Sequence, residues 1–541
     1  MVTPPASGPG SGPGRSQFRS MSTTPPVALY DTTLRDGTQG LGVSFSAADK
    51  LRIAERLDDF GMDYIEGGYP FSNEKDVEFF RLAAARNWKH AKIAAFGRSL
   101  AVGSRAEDDP QLRALLDTRA PVVTVFGKSW DLHVTEVLRT TLEENCRLIR
   151  ETAAYFKQAG REFIYDAEHF FDGYKANPDY CLATLAAAVE GGSDMLVLCD
   201  TNGGTLPQEV ADLTRLVAAK FGVPVGIHPH DDSGLGVANA LAAVQAGAVQ
   251  VQGTMNGYGE RTGNANMTTI IPCLQLKLGL PVVPDLTKLS ALSHFVDEMA
   301  NTVPNPRAPF VGITAFAHKG GGHVNAVQKL ARTYEHIEPA SVGNHQVIVV
   351  SEVAGGSNIQ MKAESLGYTF PKGDPRIRQS LERVKPLESE GFEFEAADAS
   401  FELLSRRELG TYTPFFDLQE YHCSYRRDGR HGWESCIATV KLVVNGDTLY
   451  TVSEGDGPVN ALDGALRKAL AGAYPGLTEM TLTDYKVRII DSQAGTGAKT
   501  RVLIESSDDR GSWGTVGVSH NIIDASWQAL VDSVVFFLSR R

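Results

Sequence analysis

The six cysteines of this 541-residue chain form no CxxC pair. Cys146, Cys181, Cys199, Cys273, Cys423 and Cys436 are scattered, which excludes a cysteine-based zinc site and fits a reducing compartment, the cytoplasm. No run approaches the roughly 18 consecutive apolar residues of a membrane span, so no membrane association is expected. Basic charge is in deficit: Lys+Arg number 52 against 65 Asp+Glu, giving a net charge of −13 and a pI near 5.5, which argues against nucleic acid as a partner. No GxGxxG follows the first predicted strand, so a doubly wound dinucleotide-binding sheet lacks its phosphate loop. What remains is an ordinary globular composition, 42% hydrophobic and 22% charged, long enough for several domains of roughly 100–200 residues each.

Residues 1–26 are rich in Pro, Gly and Ser and contain no acid, as expected of a disordered tail; a transit peptide is the functional alternative. From Val27 onward, short apolar runs alternate with longer segments whose apolar residues recur at helical spacing. Strands are predicted at 27–30, 62–65, 93–96, 122–126, 163–165, 195–199, 224–227 and 249–253. Eight such units in roughly 250 residues predict an α/β fold, a (β/α)8 TIM barrel over 27–290. A helical accessory region follows over 291–415, with a Gly-rich stretch at 318–323 and a charged, helical segment at 375–407. Over 416–541 the pattern becomes α+β. Helix starts at 458–463 and 520–524 each carry Asn followed three residues later by Asp, which suggests a duplicated strand-strand-helix unit.

In such a barrel the functional groups belong at the C-terminal ends of the strands, and the unusual polar residues cluster there. Strand one leads to Arg35 and Asp36, strand two to Glu66, strand five to Asp166 and Glu168, strand six to Thr201, strand seven to His228 and His230, and strand eight to a loop ending at Asn264. Two histidines two residues apart in an extended backbone project from the same side and can share one metal. Asp36 is the natural third ligand and Asn264 a possible fourth, a donor set suited to Zn, Mn, Co or Fe and tolerant of Mg; a hydrogen-bonded core pair is the alternative. Arg35 can neutralise a developing oxyanion or form a salt bridge with Glu66. Thr201 can hold a small carboxylate or cap the next helix.

The segments Asp31-Thr32-Thr33-Leu34-Arg35-Asp36-Gly37, His228-Pro229-His230-Asp231-Asp232 and Gly257-Tyr258-Gly259-Glu260-Arg261-Thr262-Gly263-Asn264 resemble the family of 2-isopropylmalate, homocitrate and citramalate synthases. The segments Phe126-Gly127-Lys128-Ser129-Trp130-Asp131-Leu132-His133 and Glu168-His169-Phe170-Phe171-Asp172-Gly173-Tyr174 resemble its longer citramalate-forming branch. The resemblance implies an acyltransferase that condenses acetyl-CoA with a 2-oxo acid, pyruvate for that branch, in isoleucine biosynthesis. It further implies a divalent metal (Mg, Mn or Zn) on Asp36, His228 and His230 with Asn264 at or near it, and an alkoxide stabilised by Arg35. Thr201 would bind the substrate carboxylate, and Glu168, His323 and Tyr334 would handle protons. Asp166, where relatives carry small polar or aromatic residues, would select a short oxo acid or make a structural hydrogen bond. The C-terminal region resembles the family's regulatory dimer domain; a homodimer is implied, with isoleucine as effector near Gly457, Asn460, Gly497 and Asn521. A dimerisation module without a ligand is the alternative there. A lyase on the same barrel and a non-catalytic amino-acid sensor are the readings from other classes.

Overall fold

The computed structural model describes residues 26–348, 397–408, 410–427, 434–490 and 492–541, with a few positions between 383 and 394. Residues 1–25 of the tail expected at 1–26 and the first part of the charged segment, 375–382, lie outside the described residues. Eight parallel strands close a barrel: β1 (Ala28–Asp31), β2 (Tyr64–Gly68), β3 (Lys92–Arg98), β4 (Val122–Lys128), β5 (Glu162–Glu168), β6 (Met195–Asp200), β7 (Val225–Pro229) and β8 (Gln250–Gly253). Each pairs with its sequence neighbour, and β8 pairs back onto β1 with Ala28 opposite Gln250. The predicted (β/α)8 barrel is therefore the observed one.

Its strands run further than their apolar cores. Strand β4 continues to Lys128 and β5 to Glu168, so residues expected just past the strand ends lie on the sheet itself. Tyr30, Ala94, Val122, Ile164, Val197 and Cys199 form one buried cluster inside the barrel. The side-chain period of two then carries Thr124, Phe126 and Lys128 on β4, and Asp166 and Glu168 on β5, to the same inward side.

The helices begin where local chemistry allows. Helix α1 (Ala47–Phe60) opens with a reciprocal Ser46–Asp49 capping box and ends at Gly61, whose φ of 104° suits glycine. Helices α2 (Glu74–Ala83), α3 (Pro110–Asp117), α4 (Leu142–Gln158) and α6 (Pro178–Glu190) are capped by Asn73, Asp109, Thr141 and Asn177; α5 (Phe170–Ala176) is a short insertion after β5. Helices α7 (Pro207–Phe221), α8 (Gly236–Gln245) and, after β8, α9 (Met267–Pro272) make up the eight, and α10 (Leu289–Met299) follows.

The chain divides into two compact units. The first ends at Gly312 and takes back Ala340–Asn344; the second comprises Ile313–Pro339 and everything from His345. In the second unit, β9 (Ala317–His318) pairs with β10 (Val347–Ile348), and α11 (Gly321–Lys329) follows β9. Helix α12 (Asp398–Glu408) precedes two antiparallel sheets. The first is β11 (Asp417–Arg427), β12 (Glu434–Val444) and β13 (Asp447–Gly455), then helix α13 (Pro458–Leu470). The second is β14 (Thr481–Ile489), β15 (Thr500–Asp508) and β16 (Gly511–Ser519), then helix α14 (Ile522–Ser539). The repeat is thus three strands and a helix, one strand more per unit than the sequence pattern suggested. On β12, Cys436, Ala438, Val440, Leu442 and Val444 alternate into the core that α13 and α14 cover. The turn to β13 is Asn445-Gly446, with φ of 51° and 91°, the two-residue hairpin these residue types favour.

The expectation that no segment has the length and apolarity of a membrane span needs correction. Helix α14 has both over its 18 residues, and 61% of that stretch is buried within the protein. It is apolar nearly all round because Trp527, Leu530, Val534 and Phe537 lie in the core of the repeated domain.

Candidate active site

Strand β1 ends at Asp31, whose carboxylate accepts hydrogen bonds from the Thr33 N–H (3.0 Å) and hydroxyl (2.9 Å). The Thr33 hydroxyl oxygen in turn accepts from the Met255 N–H at 2.8 Å, which fastens this turn to the loop after β8. The turn presents Arg35 and Asp36 to the barrel mouth. Arg35 donates from Nε to Glu66 at 2.6 Å, lies 3.4 Å from the Asp36 carboxylate, and stacks its guanidinium 3.7 Å from the Phe96 ring centre. Glu66 also accepts from Tyr30 and Thr32. The salt-bridge reading of Arg35 is thus present in the structure, and the same bridge fixes the guanidinium beside Asp36.

Asp36 Oδ2 lies 3.2 Å from His228 Nε2 and 3.9 Å from His230 Nε2, and one ligand atom from each of the three residues falls within 4.8 Å of the others. Burial alone would raise the Asp36 pKa, but Arg35, His228 and His230 outweigh it and hold the carboxyl well below its ordinary range. Burial, with His228 beside it, lowers His230 to about 4, so that ring is neutral at pH 7 and offers a lone pair. His228 Nδ1 meets Gln252 Oε1 at 2.9 Å, which makes Nδ1 the donor and leaves Nε2 facing Asp36.

Asn264 is placed here by two glycines. Gly259 (φ 151°) and Gly263 (φ 100°) occupy backbone states that L side chains rarely adopt, and a Cβ at the first would collide with the Asn264 side chain. Asn264 Nδ2 donates to the Tyr258 carbonyl at 3.2 Å, while its buried Oδ1 and the buried Nδ1 of His230 have no hydrogen-bond partner among the described residues. A carboxylate and two imidazoles gathered within 4.8 Å, with an orphaned amide oxygen on Asn264, the residue bridged to His230, form a donor set that fits a divalent cation.

A cavity of about 530 Å³ opens above this cluster, walled by Phe96, Phe126, Asp166, Glu168, Cys199 and Thr201. The Phe96 and Phe126 rings stack at 5.5 Å. Thr201 caps no helix: α7 begins after Leu206, and the Thr201 hydroxyl oxygen accepts from the His169 N–H at 2.9 Å, leaving its own proton to donate. The Thr201 carbonyl accepts from Arg261 at 2.7 Å, and Arg261 also grips Asp232 through two nitrogens at 2.7 and 2.9 Å. Asp166 is buried and raised to about 7, by desolvation first, despite His228 and Arg35; Gln252 donates to it at 3.3 Å.

His323 and Tyr334 lie in the second unit, where their rings stack at 4.2 Å. Gly457 and Asn521 cap α13 and α14, Asn460 accepts from the Asp456 N–H at 3.2 Å, and the Gly497 carbonyl meets His520 Nδ1 at 3.0 Å. The sequence reading missed Gln252, the Phe96–Phe126 pair, Arg261 and Lys128. One signal was available for Gln252: with Gln250 it places amides at a two-residue spacing in an otherwise apolar strand.

Residues 26–296 match the HMGL-like family model, 310–391 the homocitrate synthase post-HMGL domain-like model, and 395–538 the LeuA allosteric (dimerisation) domain. The (R)-citramalate synthase of Aquifex aeolicus (strain VF5) is 54% identical over 95% of this chain and 98% of its own length. That of Geobacter sulfurreducens is 50% identical, again over 95% and 98%. A probable 2-isopropylmalate synthase from Methanopyrus kandleri is 32% identical over 95% of this chain and 99% of its own.

Proposed function

Since this chain belongs to the (R)-citramalate synthase family, with an HMGL-like barrel and a LeuA-type module, we propose that it condenses acetyl-CoA with pyruvate and water to (R)-citramalate and CoA. The observation that carries the substrate is the full-length likeness at 54% identity, against 32% for the isopropylmalate-type relative. We propose isoleucine biosynthesis in the cytoplasm as its setting. A lyase or a non-catalytic sensor is disfavoured because the regions matching the post-HMGL and LeuA models accompany a complete polar barrel mouth.

In this reading Asp36, His228 and His230, with Asn264 beside them, hold a divalent metal, which when bound supplies Lewis-acid polarisation of the keto group. Gln252 keeps His228 in the tautomer with Nε2 available. Arg35, fixed by Glu66 and Phe96 and held permanently charged by its acidic neighbours, compensates the alkoxide that develops as the new carbon–carbon bond forms. The Thr201 hydroxyl donates to the carboxylate of the oxo acid. Phe96 and Phe126 wall the side where its methyl group sits, and Asp166, its carboxyl raised to about 7 by burial, closes the floor. Glu168 takes the proton from the acetyl methyl group, with His323 and Tyr334 completing the proton handling.

We propose three functional regions: barrel at 27–290, accessory region at 291–415 and regulatory dimer module at 416–541. The outer face of the first sheet of that module exposes Ile437, Tyr450 and Val452, the last two by 67% and 53%, which supports a homodimer. Isoleucine is the proposed effector, its carboxylate received by the N–H groups at the starts of α13 and α14 near Gly457, Asn460, Gly497 and Asn521. The test is CoA release from acetyl-CoA by the metal-loaded protein with pyruvate, 2-oxoisovalerate or 2-oxoglutarate, each product identified by mass. Turnover with pyruvate alone is expected; preference for a larger oxo acid would replace the substrate and keep the chemistry.

A further inference from the structure

The last residues of β4 and β5, Lys128 and Glu168, stand opposite each other in the sheet register, and the period of two turns both side chains into the barrel mouth. Lys128 Nζ forms an ion pair with Glu168 Oε2, and the side chains are 18% and 22% exposed. The ammonium lies 5.2 Å from the centre of the Phe126 ring, a cation–π contact. The backbone beneath is pinned. The Lys128 carbonyl accepts from Asn145 Nδ2 at 2.8 Å and from the Tyr180 hydroxyl at 3.4 Å, and the Ser129 N–H donates to the Glu168 carbonyl at 3.2 Å.

The opposite end of β5 provides an internal control. There Glu162 pairs with Lys92 at 2.6 Å through Oε2 and accepts from the Tyr64 hydroxyl at 2.7 Å through Oε1, so both oxygens are used and the pair ties strands together. At Glu168 only Oε2 is engaged. Among the described residues Oε1 takes no hydrogen bond, and Glu168 lines the cavity it shares with Arg35, Asp36 and Thr201. A cation that fixes one oxygen of a carboxylate and leaves the other to the cavity restricts where the reacting oxygen can be.

We propose that Lys128 is a positioning residue for the condensation, holding the Glu168 carboxylate against the Phe126 side of the cavity so that Oε1 faces the acetyl group. This rests on the reading that Glu168 handles the methyl proton. The ammonium meets Glu168 and the Phe126 ring, not the metal cluster or Thr201, so its removal leaves metal binding and the carboxylate contact of the 2-oxo acid in place.

The test is steady-state kinetics with acetyl-CoA and pyruvate on Lys128→Met, Lys128→Arg, Glu168→Gln and the Lys128→Met/Glu168→Gln double variant, with bound metal measured in each. Lys128→Met is expected to lower kcat by about 10²-fold, the scale of a misplaced catalytic group, with KM for pyruvate and metal content unchanged. Lys128→Arg should recover most of that loss. The double variant should be no slower than Glu168→Gln alone, because the two side chains act through one interaction. Wild-type kcat in Lys128→Met, or losses that multiply in the double variant, would overturn the proposal. Wild-type kcat in Glu168→Gln would instead remove Glu168 from the reaction and with it the reading beneath. Should Lys128→Met fail to fold, Lys128→Gln, which keeps a donor but not the charge, is read by the same criteria.

Discussion

The barrel and the duplicated C-terminal module solve the same problem, covering a sheet with helices, in opposite ways. The barrel's parallel strands are buried on both sides, and its inner surface is a chain of polar contacts: Tyr30 and Thr124, Glu66 and Arg35, His228 and Gln252, Gln252 and Asp166. The module's antiparallel sheets bury one face each, and Ile437, Tyr450 and Val452 stand exposed on the other face of the first. Polar groups inside the barrel are costly and are therefore paired and fixed, which is what chemistry needs. The module's candidate ligand groups are helix-start N–H groups, which serve binding rather than bond-making. The difference predicts that barrel variants alter metal and turnover while module variants alter stability and inhibition.

The sharpest separation is expected from Asp36→Ala. Bound metal should be lost and activity with it, while binding of the proposed effector, isoleucine, is unaffected; retained stoichiometric metal would break the assignment, and metal analysis with calorimetry reads both. Next comes Gln252→Leu, which frees the His228 Nδ1–H from its acceptor. Metal affinity should fall by about 10- to 100-fold, the usual effect of deleting such a partner, as measured by competition with a chelator.

Asp166→Asn tests the buried acid. Its folded pKa of about 7 lies above the ordinary 3.8, so between those values the folded protein keeps a proton that the unfolded chain has lost. Its contribution to stability is greatest at low pH, declines as pH rises toward 7 and is constant above. Melting curves of the metal-free asparagine variant should therefore depend less on pH over that interval, and an unchanged pH dependence would show that Asp166 does not titrate there. The smallest effect belongs to the module. Asn521→Ala removes the side chain that accepts the Ile523 N–H at 2.9 Å and should cost about 1 kcal/mol. A slightly lowered melting temperature and weakened end-product inhibition with unchanged metal content would uphold the comparison; a loss of turnover would blur it.

The same contrast governs what could be read from the chain. All eight barrel strands were legible because strands buried on both faces appear as continuous apolar runs such as Val122–Phe126. The module was harder: runs at 437–444 and 485–490 read as strands and lie on β12 and β14, but the pattern counted two strands in each unit where there are three. At the site, Arg35, Asp36, His228 and His230 announced themselves by motif and spacing. Gln252 and Phe96 did not, and Lys128 and Arg261, though inside the motif segments, drew no role there, because each acts through a neighbour distant in the chain.

Sequence alone determined the barrel, the donor residues at its strand ends and the duplicated module, since periodicity and local spacing are properties of contiguous residues. Only the tertiary structure decided which of those donors meet. Asp36 and His228 are 192 positions apart in the chain and 3.2 Å apart in space, a closeness that only barrel closure produces. The orphaned Asn264 oxygen, the tautomer of His228 and the single engaged oxygen of Glu168 are likewise set across strands, by which side chain fills each hydrogen bond first.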